Sequence, residues 1–128
     1  MNVQVAMNQY RQVGNHAAAE EASPHKLILM LLSGAQERIA STKTHMINKN
    51  VAAKGETIGT AMNIIVGLRA SLDHEKGGEI SSNLDALYEY MEGRLFEANV
   101  KNDPSILDEV NNLLKEITTA WVGIANQV

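Results

Sequence analysis

The sequence predicts an all-α protein: an antiparallel, up-and-down four-helix bundle with a short capping helix at its N-terminus. Three observations lead there. Apolar residues recur at three- and four-residue spacing along most of the chain, and no strand-like alternation persists anywhere. The breaks between the stripes carry helix-start chemistry, twice as an N-cap residue followed by proline, Ser23-Pro24 and Asp103-Pro104. The stretches between breaks would form helices of ~20–24 residues, ~30–36 Å long, and their short connections make sequential helices antiparallel neighbours. A chain of 128 residues is one domain by length, with residues 1–22 as a mobile cap and 23–128 as the bundle.

The first segment, residues 1–20, carries Val3, Ala6, Tyr10, Val13 and Ala17 on one helical stripe. Gly14 weakens it by ~1 kcal/mol relative to alanine, so the segment docks through a few contacts only.

The second element runs from Pro24 to Ile47. Leu27, Ile28, Leu31, Leu32, Ala35, Ile39 and Met46 fall on one broad face at 100° per residue. Leu29 and Met30 fall outside it. They belong to a run of six consecutive apolar residues, 27–32, longer than a single buried face requires. The excess implies a second thing to pack against and so a protein that holds another chain. Asn48-Lys49-Asn50 reads as a turn, with Asn50 the next N-cap.

The third element spans residues 51–73, with Ile58, Ala61, Met62, Ile65, Leu68 and Leu72 as its stripe and Ile64 and Val66 flanking it. Gly77-Gly78 supplies the backbone freedom for a chain reversal. The fourth spans 79–101, lined by Ile80, Leu84, Leu87, Tyr88, Met91, Leu95 and Ala98, with Tyr90 and Phe96 pointing elsewhere. The last carries Ile106, Val110, Leu113, Leu114, Ile117, Trp121 and Ile124, and Trp121 in mid-stripe reads as core.

Several function classes are excluded on chemistry. The absence of cysteine removes disulfides, thiolate metal sites and thiol nucleophiles, and fits a reducing cytoplasm. No glutamate has a histidine three residues later, as a di-iron bundle would need, and no His-Glu-x-x-His occurs. The four histidines lie near predicted helix ends and read as solvated rather than as metal ligands. No catalytic, cofactor or metal residues are therefore assigned. Eleven basic residues against fifteen acids give a net charge of −4, against the clustered positive charge that nucleic-acid binding uses. Lys43, His45, Lys49 and Lys54 read as a solvated helix junction. No run approaches the ~18–20 apolar residues that cross a bilayer, so no membrane insertion is expected. No signal peptide is visible. The candidate partner contacts are Tyr10 on the detachable first segment and the off-stripe apolar residues Leu29, Met30, Ile64, Tyr90 and Phe96.

A set of motifs runs along the chain in a telling order. It starts with Tyr10, Ser23-Pro24-x-Lys26-Leu27-Ile28, and Leu31 with Gly34-Ala35. It continues with Glu75-Lys76-Gly77-Gly78-Glu79-Ile80, Asn83-Leu84, and Leu87-Tyr88-x-Tyr90-Met91. It ends with Leu95-x-x-Ala98-Asn99 and Ala120-Trp121. In this order and on these helices the chain resembles the FliS family of flagellar secretion chaperones over nearly its whole length. It departs from the family in having Leu31-Leu32-Ser33-Gly34-Ala35 where Leu-Tyr-Asp-Gly-Ala is frequent, and in having a single tyrosine in the first segment.

The resemblance implies a bacterial cytoplasmic chaperone, a monomer when free, that binds the disordered C-terminal segment of flagellin. It would block premature polymerisation and keep flagellin competent for type III export, handing it to the export-gate membrane protein. A disordered tail loses chain entropy on binding, so a broad apolar surface is needed to offset it, as helix-in-groove recognition provides. Residues 1–22 would cover that surface until the partner arrives. Two other readings belong to different classes: a generic helical adaptor outside flagellar assembly, and a bundle holding a small ligand or metal.

Overall fold

Ser23 opens the first helix as the sequence predicts. Its hydroxyl accepts the Lys26 N–H at 3.2 Å, and Pro24 occupies the first turn. The structure, a computed structural model, describes residues 23–123. Among them are four helices and no strand: α1 Pro24–Ile47, α2 Val51–Ala70, α3 His74–Lys101 and α4 Pro104–Gly123. The N-terminal cap, Tyr10 and Ile124 lie outside the described residues.

The α1–α2 turn forms as its residues require. Lys49 takes φ 59°, and the Asn50 side chain accepts the Ala53 N–H at 3.2 Å. At the end of α3 the left-handed Asn102, at φ 55° and ψ 46°, stops the helix. Asp103 then accepts the Ser105 N–H at 2.9 Å to start α4.

The α2–α3 boundary differs from the expectation. The chain turns at residues 71–73, not at the glycine pair. Asp73 caps the new helix by accepting the N–H groups of Glu75 and Lys76, each at 3.0 Å. One turn later Gly78, at φ 50° and ψ −121°, leaves helical geometry before the helix resumes. The cap wins because a carboxylate that satisfies two free N–H groups can begin a helix upstream of a glycine.

The four helices close around one apolar core. Helix α1 packs on α2 and α4, and α3 packs on the same two. The α1 stripe is buried as read, Leu27, Leu31, Leu32 and Ala35 completely. Burying a leucine side chain contributes about 1.5–3 kcal/mol each. Polar ties fix the register. His25 at the start of α1 meets Trp121 of α4, and Lys43 near its end meets Asp108 at 2.9 Å. Between α2 and α3, Arg69 reaches Asp85 at 2.6 Å and Glu89 at 3.1 Å, while Lys54 reaches Asn102 at 3.0 Å.

Three stripe assignments change. Ile80 is 71% exposed, because it sits just beyond the Gly78 break at the mouth of the helix assembly. Leu107 was absent from the α4 stripe but is fully buried. Trp121 is only partly buried and packs at the core's edge.

Candidate functional site

At one end the described residues leave the core open. A pocket of about 380 Å³ lies between the start of α1, the end of α2, the first half of α3 and the end of α4. Helix α1 contributes Ile28 and Leu32, and the end of α2 contributes Leu68 and Leu72. Ile80, Leu84 and Tyr88, each one turn apart, form the α3 wall, and Ile117 and Trp121 of α4 complete it. The walls are apolar apart from a few groups at the α2–α3 turn. Among these, the Ser71 hydroxyl donates to the Leu68 carbonyl at 2.7 Å and the Ser81 hydroxyl to the Asp73 carbonyl at 2.8 Å. The Ser81 bond depends on Gly77: a Cβ built there would stand 1.8 Å from the Ser81 oxygen.

One wall is pinned by an aromatic pair. The Trp121 indole N–H donates to the His25 carbonyl at 2.9 Å, and the two rings stack with centroids 4.8 Å apart. The His25 ring, expected to be solvated, has both nitrogens buried without a hydrogen-bond partner among the described residues. Charge also holds α3 to its neighbours. Glu109 of α4 accepts from Arg94 at 2.6 Å and from the Tyr90 hydroxyl at 2.7 Å, and Arg94 also pairs with Glu97. The Arg94 hydrogen bond, with help from Tyr90, keeps the Glu109 carboxyl below its ordinary pKa. The Arg69 hydrogen bond does the same for Asp85.

The off-stripe candidates do not come together in this arrangement. Ile64 is 1% exposed and belongs to the core. Helix α2 is clasped between α1 and α3, so a flank residue that a one-sided stripe would leave outside is covered. Met30 packs against the core edge, and Leu29 beside it is half-buried. Tyr90 keeps an exposed ring while its hydroxyl is held by Glu109. Phe96 is 63% exposed and shares a free α3 face with Val100 one turn on. Tyr90 and Phe96 project about 120° apart around α3 at 100° per residue. None of these residues lines the pocket. Its lining consists largely of residues that the periodicity assigns to core, and their stripe pattern alone contains no signal for an opening.

Among the described residues no helix is long and apolar enough to cross a membrane, and no group of three or more histidine, aspartate or glutamate residues is placed to hold a metal ion. The apolar walls of the pocket suit the capture of apolar groups.

Comparison with known proteins points one way. The family model described as flagellar protein FliS matches residues 6–128. The flagellar secretion chaperone FliSB of Pseudomonas aeruginosa is 50% identical over 121 residues, 94% of this chain and 96% of that protein. The flagellar secretion chaperone FliS of Salmonella typhimurium is 46% identical over 117 residues, 91% and 87% of the two chains. That of Vibrio cholerae is 42% identical over 116 residues, 91% and 85%.

Proposed function

The chain belongs to the FliS family of flagellar secretion chaperones, and from that premise we propose that its partner is the C-terminal region of flagellin. It holds that region in the bacterial cytoplasm, prevents its polymerisation, and keeps it in a state that type III export accepts. Delivery to the export-gate membrane protein follows release. The protein acts by binding, not by catalysis, and is a monomer when free.

The observation that carries this reading is the open apolar pocket at one end of the helix assembly. A flagellin tail polymerises by burying an apolar face, and a chaperone must offer that face an alternative of the same chemistry. An apolar cleft provides it at little directional constraint. The exposed Phe96–Val100 face, the ring of Tyr90, and Leu29 and Met30 on α1 extend the apolar surface available to a long segment. Tyr10 joins them on the first segment. We read the whole chain as one domain, with residues 23–128 an antiparallel up-and-down bundle and residues 1–22 its cap. The pairing of His25 with Trp121 and of Lys43 with Asp108 supports opposite directions for α1 and α4.

Calorimetry with intact flagellin and with flagellin lacking its C-terminal region tests the proposal. One-to-one binding of the intact protein alone, with a negative heat-capacity change, is expected. Equal binding of both would refute it.

A further inference from the structure

The pocket contains a hydroxyl that the fold leaves unused. Tyr88 lines it and is only 3% exposed, yet no hydrogen bond from its phenol is found among the described residues. Burial alone pushes its pKa up to about 12. Apart from the exposed Lys76, the other polar side chains of the wall among the described residues are engaged. Ser71 and Ser81 donate to backbone carbonyls, the Trp121 indole donates to His25, and the Asp73 carboxylate caps α3. The hydroxyl keeps contact with solvent inside the open pocket, where a docked chain would reach it.

We propose that the Tyr88 hydroxyl is a partner-binding donor: a docked polypeptide fills the pocket with apolar side chains and presents a free amide carbonyl to Tyr88. This rests on the reading that a partner chain docks at this end. The acceptor is neutral. A carboxylate would be stripped of water among apolar walls; among the described residues the one lining cation, Lys76, is exposed beyond the Gly78 break and three turns before Tyr88. The acceptor also lies outside the middle of a helix, where each carbonyl already accepts from the N–H four residues on. The docked stretch is therefore extended, or is the last turn of a helix. Its apolar side chains lie along Ile80, Leu84 and Tyr88, a wall about 12 Å long at 1.5 Å per residue.

The test is calorimetry of the full chain with the flagellin C-terminal region, beside thermal melts of each variant. Tyr88→Phe should bind about three- to tenfold more weakly while melting at or above the wild-type temperature. Leu84→Trp, whose larger ring occupies the pocket, should lose at least about tenfold in affinity. Ile80→Asp, at an exposed position on the mouth, should weaken binding in the same direction without unfolding the chain. Wild-type affinity in Tyr88→Phe would overturn the inference and leave the chaperone reading standing. So would a Tyr88→Phe melting temperature several degrees lower, because the hydroxyl would then have a structural partner. Wild-type affinity in Ile80→Asp would show that the partner docks elsewhere. Failure of the wild-type chain itself to bind would remove both the chaperone reading and this one.

Discussion

Replacing Ile64 with alanine separates two roles that one residue could have. As a partner contact it would matter to binding; as a core residue it matters to stability. It is 1% exposed on α2, and a Cβ built on Gly34 of α1 would stand 3.7 Å from its terminal methyl carbon. The deletion removes three buried carbons at the tightest helix pair. Truncating a buried isoleucine to alanine costs about 2–5 kcal/mol, depending on how far the surroundings collapse. Alanine returns no more than about 0.7 kcal/mol through better helix propensity. The small residue opposite, Gly34, has no side chain to move into the space, which favours the upper half of the range. A net loss of about 3 kcal/mol corresponds to a melting temperature lower by roughly 10 °C for a domain of this size. Urea unfolding followed at 222 nm should show a reduced midpoint with an unchanged slope, since the surface exposed on unfolding hardly changes. Flagellin affinity, measured on the folded fraction, should stay within about twofold of wild type. A stability loss below about 1 kcal/mol, joined to a large loss of affinity, would refute the core assignment.

Other substitutions and conditions probe different links. Gly34→Ala should raise stability by about 0.5–1 kcal/mol, because the new methyl meets Ile64 at an ordinary contact distance and the unfolded chain loses freedom; a lower urea midpoint would contradict it. Phe96→Asp should change stability by less than about 0.5 kcal/mol, since the ring is mostly exposed, while weakening flagellin binding several-fold in calorimetry. Unchanged affinity would exclude the Phe96–Val100 face from the interface. The acid limb of stability should follow the carboxylates. Hydrogen bonds from Arg69 and Arg94 lower the pKa values of Asp85 and Glu109 in the folded chain, so the unfolded state takes up protons first. Their contribution is present above the unfolded values near ~4 and is lost as pH falls through the lower folded values. Urea midpoints measured from pH 6 to pH 3 should therefore fall, and Arg69→Gln should flatten the fall; an identical slope in that variant would show the pairing contributes nothing.

The sequence by itself determined the helices, because their determinants are local. Ser23, Asn50 and Asp103 accept N–H groups within the next few residues, and the α1 stripe from Leu27 to Met46 is buried as its spacing requires. The family was legible for a related reason: its motifs keep their order and spacing along the chain. The α2–α3 boundary was less legible, because Asp73 and Gly78 send opposing local signals and either can set a helix end. What only tertiary structure decided was which side of each residue another helix would cover. Ile64 and Val66 flank the same stripe, yet clasping by α1 and α3 buries the first and leaves the second 48% exposed. The pocket was out of reach for the same reason. Ile28, Leu84 and Tyr88 have the periodicity of core residues, and a core and the wall of an apolar cleft are written in the same residues. The difference is the distance between helices, which depends on how all four close around one another and not on any window of the chain.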